Sequence, residues 1–89
     1  MEFDWDEDKA IANRAKHGVE FELVYTLDWS TLVVRPDARH DYGEERWQAL
    51  SRERRVLIVF AVRNGIYRII SVRKVHSKEI RQWARLKRS

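Results

Sequence analysis

With 89 residues the chain is short enough to be read as one domain, 1–89, with a thin core that a partner or second copy would help to cover; four Trp, three Tyr and three Phe supply bulk for that core. The absence of Cys excludes a disulfide framework and thiolate chemistry. No apolar run approaches the length of a bilayer span, and the acidic start Met1-Glu-Phe-Asp-Trp-Asp-Glu7 is unlike a secretory leader, so a soluble cytoplasmic protein is expected. The net charge of +4 is unevenly divided: residues 1–43 carry five Lys/Arg against ten Asp/Glu, a balance of −5, and residues 44–89 carry thirteen against four, a balance of +9. Clustered cations attract polyanions through counterion release and steering, which puts nucleic acid first among partners, with a merely solvated basic surface as the alternative.

Phe3 and Trp5 lie in a short extended segment. The run Asp4-Trp5-Asp6-Glu7 offers an Asp N-cap for a helix over about Asp6 to His17, with Lys16 and His17 at the end where cations suit the dipole and Gly18 as its left-handed stop. Lys9, Asn13 and Lys16 share one face of that helix. Val19 to Trp29 reads as a second, shorter helix in which Phe21, Val24 and Tyr25 form a core stripe. Thr31 to Arg35 is β-branched and stops at Pro36, which predicts a strand followed by the polar loop Pro36–Gly43, with His40 exposed. Glu44 to Arg52 alternates as a second strand, with Glu45, Trp47, Ala49 and Ser51 on one face and Arg46, Gln48 and Leu50 on the other.

Arg54 to Lys74 reads as a β-hairpin around which the rest is organised. Val56 to Val62 is apolar at every position, which suits a strand covered on both faces, and Asn64-Gly65 supplies the positive φ angles of a type I′ turn. An uninterrupted register pairs Arg63 with Ile66, Phe60 with Ile69, Ile58 with Ser71, Val56 with Arg73 and Arg55 with Lys74. Regular alternation then places Tyr67, Ile69, Ser71 and Arg73 on one face and Arg68, Ile70, Val72 and Lys74 on the other. A twist or bulge that brings Arg73 and Lys74 together at the sheet edge, with Arg68 at the rim, would make an anion-binding groove. Ser77 caps a last helix whose apolar stripe is Ile80, Trp83 and Ala84, surrounded by Lys78, Arg81, Arg85, Lys87 and Arg88. The expected class is α+β in the order ααββββα: two N-terminal helices, a four-stranded mainly antiparallel sheet and a C-terminal helix.

No Gly-rich phosphate loop, zinc-ligand spacing or nucleophile-elbow motif is present, so neither a metal nor a cofactor is expected. The remaining inventory of Arg, Lys, Ser and a few His or Glu suits cleavage of RNA without a metal. The 2′-OH is the nucleophile, and the protein need supply only proton transfer and positive charge for the phosphorane. Plain binding of RNA or DNA uses the same residue types.

Several segments together resemble the BrnT toxins of type II toxin–antitoxin pairs: Trp5-Asp6 with Lys9 and Asn13, Lys16-His17-Gly18-Val19, Phe21-Glu22, Asp41-Tyr-Gly-Glu-Glu-Arg46, and Arg68-Ile-Ile-Ser-Val-Arg-Lys74 with Glu79. The resemblance spans nearly the whole chain in order. It implies a RelE-like ribonuclease fold, RNA cleavage that arrests translation, and neutralisation by a BrnA-type ribbon-helix-helix antitoxin, with a homodimer or a toxin–antitoxin heterotetramer as the assembly. Catalytic candidates are Arg68 and Arg73 for the phosphorane and Lys74, His17 or Glu45 for proton transfer. Lys16, Arg46, Ser71, Arg55, Lys78 and Arg81 are the candidate RNA contacts. Two positions depart from the family pattern: Val72 replaces a small residue and Trp83 replaces a Tyr, and an indole cannot act as a general acid or base. Two other readings use the same charges, a non-catalytic nucleic-acid-binding domain and a protein-interaction scaffold.

Overall fold

The computed structural model describes residues 1–38 and 43–88. Strand β1 (Phe3–Trp5) leads into helix α1 (Glu7–His17); two 3₁₀ segments follow (Phe21–Thr26 and Trp29–Thr31), then β2 (Val33–Pro36), β3 (Trp47–Ser51), β4 (Val56–Arg63), β5 (Ile66–Lys74) and helix α2 (Ser77–Arg88). The class is α+β as expected. The sheet, however, has five strands in the order β1-β5-β4-β3-β2, and β1 runs parallel to β5. The extended start is therefore a strand: β5 has an edge to fill, and Phe3, Asp4 and Trp5 sit opposite Tyr67, Arg68 and Ile69, with the Tyr67 N–H donating to the Glu2 carbonyl at 2.9 Å.

Helix α1 begins where Asp6 accepts a hydrogen bond from the Lys9 N–H and ends at Gly18, whose φ of 69° lets its N–H reach the Arg14 carbonyl. The second helix of the sequence reading is instead a 3₁₀ segment. At three residues per turn, Phe21 and Val24 eclipse one another and are both buried, while Tyr25 turns away and is 61% exposed, packing edge-on against Phe3. A second 3₁₀ turn, whose cap Asp28 accepts from the Ser30 N–H and hydroxyl, delays β2 to Val33. Helix α2 includes Ser77 as its first residue rather than as a cap, and the carbonyl of His76 accepts from the Ile80 N–H. The expectation for His40 lies outside the described residues.

Strand β4 is buried from Val56 to Ala61 because both sheet faces are covered there. On the first face Ile58, Phe60, Ile69 and Val72 meet Ala10 of α1 and Phe21 and Val24 of the 3₁₀ segment. Each large aliphatic or aromatic side chain so buried contributes about 1.5–3 kcal/mol relative to exposure. On the second face a smaller cluster joins Leu50, Leu57 and Val75 to Trp83 of α2, with Val33 and Ile80 beside it. Asn64 and Gly65 have φ angles of 53° and 77°, as the type I′ turn requires.

The hairpin register departs from the regular one. Arg63 faces Ile66 and Phe60 faces Ile69, but Val59 faces Ser71, Ile58 faces Val72, Leu57 faces Arg73 and Val56 faces Lys74. Ile70 is the extra residue of a β-bulge. Its insertion lets Ile69 and Val72, three positions apart, both enter the first-face core, where they are 1% and 0% exposed. Arg55 is consequently not paired in the ladder; it holds a left-handed turn conformation (φ 55°) and its carbonyl accepts from the Val75 N–H.

Candidate functional site

The bulge also re-sorts the cations. Residues facing Leu57, Val59 and Ala61 share the second face, so Arg68, Ser71 and Arg73 lie together there and Lys74 lies on the opposite face. This corrects the pairing of Arg73 with Lys74: after a one-residue insertion it is Arg68 that joins Arg73. A row of paired residues crosses the sheet on that second face as Arg35, Gln48, Val59 and Ser71, each opposite the next and polar except at Val59, and Arg46 leads into the same face one residue before β3.

Carboxylates from three different segments hold these arginines. Glu79 of α2 accepts two hydrogen bonds from Arg73, at 2.9 and 2.7 Å, a fork-to-fork pairing that fixes the guanidinium plane. Asp4, opposite Arg68 in the β1–β5 register, approaches it at 3.5 Å. Glu44 accepts from Arg63 at 2.8–3.0 Å and stands 3.6 Å from Arg46. Hydrogen bonds from Arg63 hold the Glu44 carboxyl below its ordinary pKa, and the Arg46 charge adds to this. Arg35 is held otherwise. Its Nε donates to Oε1 of the buried Gln48 at 2.9 Å and its guanidinium lies 3.7 Å from the Trp83 ring centroid. Four arginines of this side (46, 63, 68 and 73) are thus each paired with one of three carboxylates (4, 44 and 79).

Beyond the end of β1 the edge of β5 is met by α1. Asn13, buried at 7% exposure, acts as a substitute strand: its side-chain amide donates to the carbonyls of Val72 (2.8 Å) and Val19 (3.2 Å), and its Oδ1 accepts from the Val72 N–H (3.2 Å). This docking brings the end of α1 to the site. His17 is half-buried, and its pKa is lowered by burial first, then by the Lys16 ammonium and the Arg73 guanidinium. Lys16 is exposed beside it.

The other sequence candidates are elsewhere. Lys74 and Arg55 line a cavity of about 670 Å³ with Arg54 and His76, bordered by Glu20 and Glu22 across an apolar floor. Arg55 also donates to the Ser77 hydroxyl. Glu45 is exposed ahead of β3, and Lys78 and Arg81 are exposed on α2. Sequence reasoning gave no site role to Arg35, Gln48 or Asp4, and used Asn13, Glu44 and Glu79 only as parts of motifs. Arg35 carried one usable signal, a cation in a β-branched strand opposite a Gln on the face shared with Arg46.

A family model described as the ribonuclease toxin BrnT of type II toxin–antitoxin systems matches residues 5–79. No curated protein matches. Among solved structures, the crystal structure of the Brucella abortus ribonuclease toxin BrnT superposes with a TM-score of 0.69 at 25% identity, covering 86% of this chain and 99% of that one. The family match takes in the α1 terminus, the bulged strand and Glu79, so on sequence and on fold alike the chain belongs to the BrnT ribonuclease toxins of type II toxin–antitoxin systems.

Proposed function

We propose that the chain cleaves RNA by attack of a 2′-OH on the adjacent phosphate, with the scissile phosphate on the second face of the sheet between Arg68, Ser71 and Arg73. The observation that carries this reading is the bulge at Ile70, which aligns those three residues on one face, while α1 ends in a histidine whose pKa is lowered by burial and by the charges of Lys16 and Arg73. His17, neutral at physiological pH, accepts the 2′-OH proton as the O2′–P bond forms. Arg73 and Arg68 stabilise the phosphorane, the P–O5′ bond breaks and the 5′-oxygen takes a proton from solvent. The products are a 2′,3′-cyclic phosphate and a 5′-OH. No step in this scheme requires a metal. Lys16 and Arg46 bind flanking phosphates, whereas Lys74, Arg55 and Glu45 lie away from the cluster and take no part in the chemistry. Cleavage of cellular RNA inhibits translation, and a BrnA-type antitoxin neutralises the protein.

The reading is tested with purified protein and an RNA carrying a single reporter bond. Arg68→Ala and Arg73→Ala each lower the cleavage rate on the order of a hundredfold, the cost of losing a charge-assisted contact made in the transition state. Full activity in both variants, or loss of activity only through loss of the circular dichroism signal, rejects it. In cells, the wild-type protein arrests growth, and co-expression of the cognate antitoxin relieves the arrest and yields a copurifying complex.

A further inference from the structure

We propose that the cleft between Arg35 and α2 is a nucleobase-stacking subsite, in which an unpaired RNA base lies on the face of the Arg35 guanidinium that Trp83 leaves open. The inference rests on the RNA-cleaving reading and adds to it where one base of the substrate is held. The cleft, about 430 Å³, is bounded by Arg35, Glu79, Gln82, Trp83 and Arg85. It adjoins the proposed phosphate site, because Glu79 both lines it and grips Arg73.

Two features distinguish Arg35 from the other arginines of that face. Among the described residues no carboxylate pairs with it, whereas Arg46, Arg63, Arg68 and Arg73 each have one. Its plane is fixed from two directions, by Trp83 beneath it at 3.7 Å and by the Nε–H bond to buried Gln48. Like Arg46, Arg68 and Arg73 it is half-buried, and it lines the cleft together with Trp83. A flat, oriented and partly desolvated guanidinium is a platform on which a base stacks, as unstacked bases of single-stranded RNA commonly do on Arg or aromatic planes.

Trp83 supports the same conclusion. The indole is 3% exposed and its Nε1 has no hydrogen-bond partner among the described residues, so the residue serves through its ring face rather than its donor. From Arg35 to Ser71 the row spans three inter-strand steps, roughly 14 Å. The stacked base therefore belongs to a nucleotide flanking the cleaved bond, not to the reacting one.

The test uses a short oligoribonucleotide made uncleavable by 2′-O-methylation, with each base in turn replaced by an abasic sugar and binding measured by titration. In the wild-type protein one abasic position weakens binding by about tenfold, the usual scale for a stacked base. Arg35→Ala abolishes that penalty. Arg35→Lys abolishes it too while leaving the salt dependence of binding unchanged, since an ammonium keeps the charge but offers no plane. Arg73→Ala weakens every oligonucleotide alike and preserves the penalty. A flat abasic profile with tight RNA binding, or a penalty that survives in both Arg35 variants, overturns the subsite alone. Failure of the wild-type protein to bind any of the oligonucleotides overturns both readings.

Discussion

Arg73 serves two neighbours at once: it is clamped by Glu79, and its charge helps to hold His17 below the ordinary histidine pKa of 6.5. If His17 is the base, kcat/KM should stay on its plateau as pH falls past 6.5 and drop only through the lowered value. Because burial is the largest cause of the shift, Arg73→Ala and Lys16→Ala should each move that midpoint part of the way back towards 6.5. His17→Ala should abolish the acid limb and slow cleavage on the order of a hundredfold. The same shift is linked to stability: the unfolded chain takes up the proton first, so any contribution of His17 to stability is present above about pH 6.5 and is lost as pH falls through the folded value. Lys74 makes the contrasting prediction. It lies on the other face, and Lys74→Ala should leave the cleavage rate within about twofold of wild type.

Two elements, the bulged strand β5 and the helix that caps its edge, position the site, and Asn13 is the link between them. Asn13→Ala leaves the N–H and C=O of Val72 without their partner in a buried place and should destabilise the fold by about 2–4 kcal/mol in denaturant titration, since each orphaned group costs roughly 1–3 kcal/mol. Asn13→Asp keeps the acceptor but loses the donor to two carbonyls, and should not restore stability. The hairpin, the faces of β3 and the Gly18 stop were legible because each follows from a local rule: a turn dipeptide, a period of two, a positive φ. The bulge was not, since regular alternation offers no position for an extra residue; the only hint was Ile69 and Val72, two core residues at a spacing no unbroken strand allows. Strand β1 escaped recognition for the opposite reason. Three residues are too few to show a period, and their partner lies far along the chain.

Across the whole molecule, four of the thirteen cations in residues 44–89 (Arg46, Arg63, Arg68 and Arg73) are paired at the sheet face with carboxylates, two of the three supplied from that same basic half and one from β1. If the proposed site binds RNA, the RNA must displace or share Asp4, Glu44 and Glu79, and the phosphate contacts that count are few. For about three of them the logarithm of the binding constant should fall with the logarithm of salt at a slope of about −2, the single-strand coefficient being about −0.7 per phosphate. A slope near zero would exclude a phosphate-led interaction. The parallel pairing of β1 with β5 carries a further consequence, in time rather than in space. Phe3 and Tyr67 are 64 residues apart, so this contact closes the longest loop in the sheet, and a parallel pairing of such separation forms late. The hairpin β4–β5, closed by a two-residue turn, should therefore assemble before the start of the chain returns to its open edge. On that order of assembly Asp4 should reach Arg68 last, after the other arginines of the sheet face are in place. In pulse-labelled hydrogen exchange during refolding, protection of the Tyr67 amide, which bonds to Glu2, should accordingly appear after protection of the β4 amides.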